Sequence, residues 1–388
     1  MQNKPKNELR KFVAPDFLFG PGARHKAGEY ALTLGVSRAL VVSDAGVIAA
    51  GWTAEVESSL RGAGISPVLF AKITPNPKDH EVAAGTEVFL DSRCDGIVAV
   101  GGGSPMDCAK GIAVMVAEGR NILEFEGVNK VTQPPPPLIC IPTTAGSAAE
   151  VSQFAIITDT GHHKKIAIIS KALVPDMALL DPETNLTMDP FLTACTGMDA
   201  LVHAVEAAVS NARSPITDLH ALKAVELVDT NLEKAMANPQ DIRYREGMLL
   251  ASLEAGLAFS NASLGAVHAM AHSLGGFNDS PHGECNALLL EHVTAFNFTA
   301  AVEAYGRVAR ALRLKEEPSS PEELKEALID RLRRLRTGAG ILTSLKDLGI
   351  THEDIPALAH NAFADPCLVT NPRPLTQKEI ETIYEAAL

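Results

Sequence analysis

The residues from Gly265 to His292, GAVHAMAHSLGGFNDSPHGECNALLLEH, hold four of the chain's twelve histidines, His268, His272, His282 and His292, among small and apolar neighbours. Imidazole is the commonest side-chain metal ligand, and a neutral ring drawn into apolar surroundings needs a partner, the simplest being a buried carbonyl. His268 and His272 stand four residues apart in a helix-compatible run, so they share one face about a turn apart. A Gly-Gly pair and an Asn-Asp-Ser-Pro turn precede His282, which lets the chain double back and start a second helix beside the first. Upstream, Asp199 and His203 repeat the four-residue spacing in a segment expected to form a helix from Thr196. Alone, such a pair is more often an orienting ion pair. Together with the later histidines it makes an oxygen and nitrogen donor set, which suits Fe(II) or Zn(II) and disfavours Ca or Mg with their all-oxygen shells.

These motifs, GMDALVHAVEA, GAVHAMAHSLGG and SPHGECNALLLEHV, together with GGGSPMDCAKGIA, IPTTAGSAAEVS and CLVTNPR, resemble the iron-containing (group III) alcohol dehydrogenases over nearly the whole chain. The resemblance implies metal ligands at Asp199, His203, His268 and His282, with His272 as a non-ligand histidine beside a nicotinamide. It also implies a dehydroquinate synthase-like fold: an α/β dinucleotide-binding domain with a Rossmann-like parallel sheet, followed by an all-helical metal-binding domain. The implied cofactors are NAD and Fe(II), with Zn(II) as the alternative ion. The expected reaction is reversible hydride transfer between a primary alcohol or its aldehyde and NAD(H). Asp199 and His268 would serve it through the metal, and His272 would relay the proton.

The elements that must position these groups come earlier. Arg38 to Ser43, Ser66 to Phe70, Gly96 to Val100 and Leu138 to Ile141 read as buried strands, with helices expected at Arg24 to Leu34, Thr53 to Gly62 and Asp79 to Leu90, the alternation of a parallel sheet. Phe12 to Gly20 reads as an edge strand. Asp44 closes the second strand. It is a turn former on its own and, by the resemblance, the acid that binds the adenosine ribose and favours NAD over NADP. Asn76 of the Pro-Asn-Pro turn is placed by the same resemblance beside the adenine half. The triple glycine Gly101, Gly102 and Gly103 leads into Ser104 and Asp107, read as a capping box opening a helix whose positive end faces a pyrophosphate. Gln133 to Pro137 is a stiff polyproline connector. Thr143, Thr144 and Ser147 follow a strand, where hydroxyls suit a nicotinamide or ribose. Phe154 to Thr158 and Lys165 to Ile169 read as a hairpin, with His162 and His163 in its turn and Lys165 near the cofactor by resemblance. Strand signals fade from Pro190, so the expected division is 1–187 and 188–388, with charged amphipathic helix such as Pro321 to Arg336 near the end.

At 388 residues and 46% hydrophobic the chain is long enough for two cores. Its net charge of −13 argues against nucleic acid or anionic membrane as partner. The polar opening lacks a secretory core and no long uninterrupted apolar run follows, so a cytoplasmic enzyme is expected. The six cysteines show no CxxC pairing and read as buried thiols. Some members of the family place Asn where Phe154 stands. Phe154, Phe259 and Cys367 therefore suggest an apolar pocket for a simple primary alcohol, and a homodimer or larger homo-oligomer is expected. Three rivals stand beside this reading: a zinc-dependent polyol dehydrogenase, an NAD-using lyase of the same superfamily, and a non-catalytic protein that kept the fold. The lyase needs a basic pocket that this sequence does not supply.

Overall fold

The continuous apolar runs of the first half build a parallel sheet. The computed structural model describes residues 11–162, 164–314 and 319–388, so the polar opening and His163 lie outside the described residues. Its first elements are β1 (Asp16–Phe19), α1 (Ala27–Thr33), β2 (Arg38–Val42), α2 (Ala45–Ala49), α3 (Trp52–Gly62), β3 (Ser66–Phe70), α4 (Asp79–Asp91), β4 (Gly96–Gly101) and α5 (Gly103–Glu118). Five strands follow: β5 (Gly127–Val128), β6 (Leu138–Pro142), β7 (Phe154–Asp159), β8 (Lys164–Ile169) and β9 (Met177–Leu180). Helices then take over: α6 (Pro190–Val209), α7 (Pro215–Ala237), α8 (Ile242–Ala262), α9 (Ala266–Asn278), α10 (His282–Asn297), α11 (Val302–Ala311), α12 (Pro321–Gly338), α13 (Ile355–Ala364) and α14 (Gln377–Ala387).

The main sheet has the order β1-β9-β6-β4-β2-β3 and its pairings are parallel. Side chains alternate across it. Leu40 and Val42 join a core with Phe89 and Ile112, while Ala39 and Val41 join another with Ala27 and Leu60. Helices on both faces explain why these strands carry no polar alternation. The antiparallel hairpin β7–β8, extended by β5, forms a second small sheet. A third core fills the helical part. Its central helix α6 is long and apolar enough to cross a membrane by length and composition, but 89% of its apolar window is buried inside the fold. It carries Asp199, His203 and Glu206.

Three local expectations are corrected. Helix α6 starts at Pro190, not Thr196, because Asp189 caps it by accepting the Leu192 N–H at 2.8 Å and proline suits the first turn. Helix α5 starts at Gly103 with Gly102 as its cap, so Ser104 and Asp107 form no capping box. Instead Ser104 Oγ accepts the Asn76 N–H and Asp107 Oδ2 accepts the Ile156 N–H, each at 3.2 Å. Strand β1 spans four residues, shorter than expected, since the segment before it is held by Asn261 on α8, which pairs with Val13 N–H and C=O at 2.7 and 3.0 Å. Strand β9, between β1 and β6, was not anticipated.

Candidate active site

Three helices bring the donor residues together. Asp199 and His203 lie on α6, His268 and His272 on α9, and His282 opens α10. The reversal between α9 and α10 is made by Asp279, whose left-handed φ of 57° ends α9. Gly283 then packs on α6 so closely that a Cβ would stand 2.2 Å from the Cys195 carbonyl oxygen, so a larger residue would push α10 and His282 outward.

Asp199, His268 and His282 offer ligand atoms that all lie within 4.8 Å of one another. Asp199 Oδ1 is 3.9 Å from His268 Nε2 and 3.7 Å from His282 Nε2. Ligand atoms around a tetrahedral ion with bonds of about 2.1 Å stand about 3.4 Å apart, so these separations are near those of a coordination shell. The three atoms converge on Asn286 Nδ2, at 2.7 Å from Asp199, 3.1 Å from His282 and 3.2 Å from His268. His203 stands beside this trio. Its Nδ1 is 4.0 Å from Asp199 Oδ2, is buried and lacks a hydrogen-bond partner, and its ring stacks between Phe259 and His268. Burial lowers the imidazoles, His203 to about 4, His268 to about 3 and His282 well below its ordinary value, so their lone pairs are available at neutral pH. Convergent acceptors, neutral rings and an orphaned nitrogen alongside fit a divalent first-row ion. His292 points elsewhere, with Nε2 3.6 Å from Glu291.

His272 does not join the trio. Its Nδ1 bonds Asp365 Oδ2 at 2.8 Å and its ring stacks on that of His282. Behind His268, Glu206 accepts from Nδ1 at 2.6 Å. Glu206, Asn286 and Asp365 carry no role in the sequence reading. Glu206 had a legible signal, lying seven residues from Asp199 and three from His203 on the same helix face, and so had Asn286, four residues after His282 on α10, whereas Asp365 becomes visible only when the helices pack.

A cleft of about 970 Å³ runs from these residues to the carboxyl ends of the parallel strands. Its walls include Asp44, Asn76, Gly102, Gly103 and Ser104 on one side. Thr143, Thr144, Ser147, Asp107 and Lys165 complete that half. Gly101 lies beneath, where a Cβ would meet Pro105 at 2.5 Å. Added Cβ atoms on Gly102 and Gly103 would come within 3.2 Å of Thr144 and Ser147, so the glycines let the two loops close together and present backbone to the cleft. Asp44 also caps α2, accepting the Val47 N–H at 3.0 Å. Burial raises Asp107 to about 6 and lowers Lys110 and Lys165.

Phe154 and Phe259 face the cleft next to the donors with their rings edge to face, and Cys195 and Leu264 join them. Cys367 does not. It is buried in the helical core behind His272, where its N–H donates to Asp365 Oδ1 at 2.8 Å, so the substrate-pocket expectation for this residue is corrected.

Comparison with known proteins adds an independent line. Residues 14–182 match the family described as iron-containing alcohol dehydrogenase, and residues 193–388 match the C-terminal region of the Fe-containing alcohol dehydrogenase family. Alcohol dehydrogenase 4 of Schizosaccharomyces pombe is 43% identical, covering 97% of this chain and 89% of that protein. The NAD-dependent methanol dehydrogenase of Bacillus methanolicus is 38% identical over 97% of this chain and 99% of that one. A crystal structure of 1,3-propanediol oxidoreductase superposes with a TM-score of 0.94 at 39% identity, covering 98% of this chain and all of that one.

Proposed function

The chain belongs to the iron-containing alcohol dehydrogenase family and is an NAD-dependent oxidoreductase of alcohols, and from that premise we propose that its substrate is a short, apolar primary alcohol or the matching aldehyde. The observation that carries this reading is the convergence of Asp199, His268 and His282 at the apolar end of the cleft, beside Phe154 and Phe259. The proposed ligands are Asp199, His203, His268 and His282, and Fe(II) is the proposed ion, with Zn(II) as the alternative. When bound, the ion supplies Lewis acidity toward the substrate oxygen and the nicotinamide supplies or accepts the hydride.

The residues of the chain do the rest. The neutral imidazoles and the Asp199 carboxylate hold the ion, and the aromatic wall orients the carbon chain and keeps water away from the reacting carbon. Asp365 holds His272 at Nδ1, leaving Nε2 to take or return the proton of the alcohol oxygen. Asp44, Asn76, the glycine loop with Ser104 and Asp107, the hydroxyls of Thr143, Thr144 and Ser147, and Lys165 hold the dinucleotide.

The division at 1–187 and 188–388 is supported by the end of the last strand at Leu180 and the start of uninterrupted helix at Pro190. A homo-oligomer is supported by β1, which stands at the sheet edge with Phe17 exposed and ready to pair with a second copy. Six free, buried cysteines fit a reducing cytoplasm. The polyol and lyase readings are disfavoured by Phe154 and Phe259 at the position where a hydroxylated or anionic substrate would need polar partners. The test is NADH formation on mixing the protein with Fe(II), NAD and a panel of short alcohols, diols and sugar acids without oxygen. Turnover of 1-propanol or 1-butanol ahead of 1,2-propanediol and glycerol is expected, and the reverse order would overturn the substrate assignment.

A further inference from the structure

Helix α9 begins where Glu206 of α6 meets it. Glu206 Oε1 accepts the Val267 N–H at 2.7 Å, and Oε2 accepts the Gly265 N–H at 3.1 Å and bonds His268 Nδ1 at 2.6 Å. The carboxylate is 5% exposed and reaches no Lys or Arg among the described side chains, so backbone donors and the ring are what satisfy it. Burial pushes it up and the N–H donors pull it down. Its neighbour Asn371 takes another early donor, Ala266 N–H, at 3.2 Å, and is itself tied to Asn297 by bonds of 2.8 and 3.0 Å.

One carboxylate thus fixes two things: the start of the helix and the ring of its first histidine. A carboxylate only accepts, so Nδ1 of His268 must carry the proton, and Nε2 is left bare on the side of Asp199 and His282. The 2.6 Å contact also fixes the ring plane, which a solvent-facing histidine would sample freely. We propose that Glu206 is the positioning residue of the metal centre, setting the tautomer and angle of His268 so that Nε2 coordinates. The inference rests on the ligand assignment made above.

The charge matters as well as the shape. In Glu206→Gln the amide has one acceptor oxygen and one NH₂ group. If the NH₂ faces Val267, two donors oppose each other there. If it faces His268, the ring must accept at Nδ1 and carry its proton on Nε2, where that proton blocks coordination. Glu206→Gln therefore retains packing and loses part of the metal affinity, and Glu206→Ala loses more.

The test uses full-length protein stripped and reloaded anaerobically with Co(II) or Zn(II). Affinity is read by chelator competition, and the ligand field by the visible d–d bands of the cobalt form. Loss of a residue in this position is expected to weaken binding about 10–100-fold in Glu206→Ala, with a smaller loss in Glu206→Gln and shifted cobalt bands in both. Asn371→Ala, which removes an acceptor from the same helix start without touching His268, is expected to keep the affinity of the parent. Equal affinity and unchanged cobalt bands in Glu206→Gln overturn the proposal, and this isosteric variant carries the test if Glu206→Ala does not fold. A loss in Asn371→Ala as large as in Glu206→Ala also overturns it, since helix capping would then be the cause. If the parent protein itself binds no cobalt, the ligand assignment fails first, a result separate from the other two.

Discussion

The side-chain amide of Asn76 donates to Asp279 Oδ1 at 2.6 Å, joining the loop before α4 to the turn between α9 and α10. Both residues have left-handed backbone, with φ of 56° and 57°. Asn76 also accepts from Lys165 Nζ at 2.8 Å, and its N–H donates to Ser104. One residue therefore touches the glycine loop, the hairpin and the turn ahead of His282. Asp279→Ala is expected to weaken NAD(H) binding about 3–10-fold, the range of an ordinary hydrogen bond rather than a charged one because Asp279 is largely exposed. Nucleotide fluorescence titration of the two single variants and the Asn76→Ala double variant checks it. Strict additivity, within about 0.3 kcal/mol, would show that the contact carries no energy.

Removing a donor from the convergent set is expected to empty it. His282→Ala and Asp199→Ala should each lose bound metal and at least about 100-fold in kcat, the scale of several kcal/mol of lost Lewis acidity. Elemental analysis and initial rates decide this, and a variant that kept both metal and turnover would remove that residue from the ligand set.

Asp44 combines capping of α2 with a place in the cleft wall. Glycine substitutes for an aspartate cap at a cost of only a few tenths of a kcal/mol, so Asp44→Gly is expected to melt close to the parent temperature. Its NADP to NAD ratio of kcat/KM should rise about tenfold or more if Asp44 is the acid that faces the ribose, as proposed. An unchanged ratio would cancel the ribose role.

Metal affinity should depend weakly on pH. Burial holds His203 at about 4 and His268 at about 3, with His282 well below 6.5, so none carries a proton to be displaced until the pH falls toward those values. Between about pH 6.5 and 5, affinity should therefore fall by at most about tenfold per unit, against about a thousandfold for three imidazoles with ordinary values. Chelator competition across that range distinguishes the two slopes.

The sequence was most readable where burial alone decides structure. Runs such as Ala39 to Val42 and Ile97 to Val100 are covered on both faces, and their strands fall within a residue or two of expectation. Helix starts were less readable because Thr196 and Ser104 have the right chemistry for caps that Asp189 and Gly102 actually fill. Four-residue spacing pointed to Asp199, His203 and His268, and the turn before His282 gave the fold-back. Asp365 escaped notice because its partner His272 lies 93 residues away, and no local pattern encodes such a meeting, whereas Asn286 stands four residues after His282 on the same helix and went unread because an amide is not a metal ligand of the usual kind. Cys367 was misjudged for the same reason as Asp365: its segment approaches His272 from behind.

Helix α6 places Asp199, His203 and Glu206 on a rod that is otherwise almost wholly greasy. A ribosome that has released only this far exposes a surface prone to stick to other chains, and none of His268, His282 or the α9 backbone yet exists to complete the donor set. Metal capture is accordingly a late event, after roughly a hundred more residues have emerged and α9 and α10 have closed over the rod, as expected for slow assembly of distant segments. Synthesis without the metal would yield finished but unloaded chains rather than half-built ones.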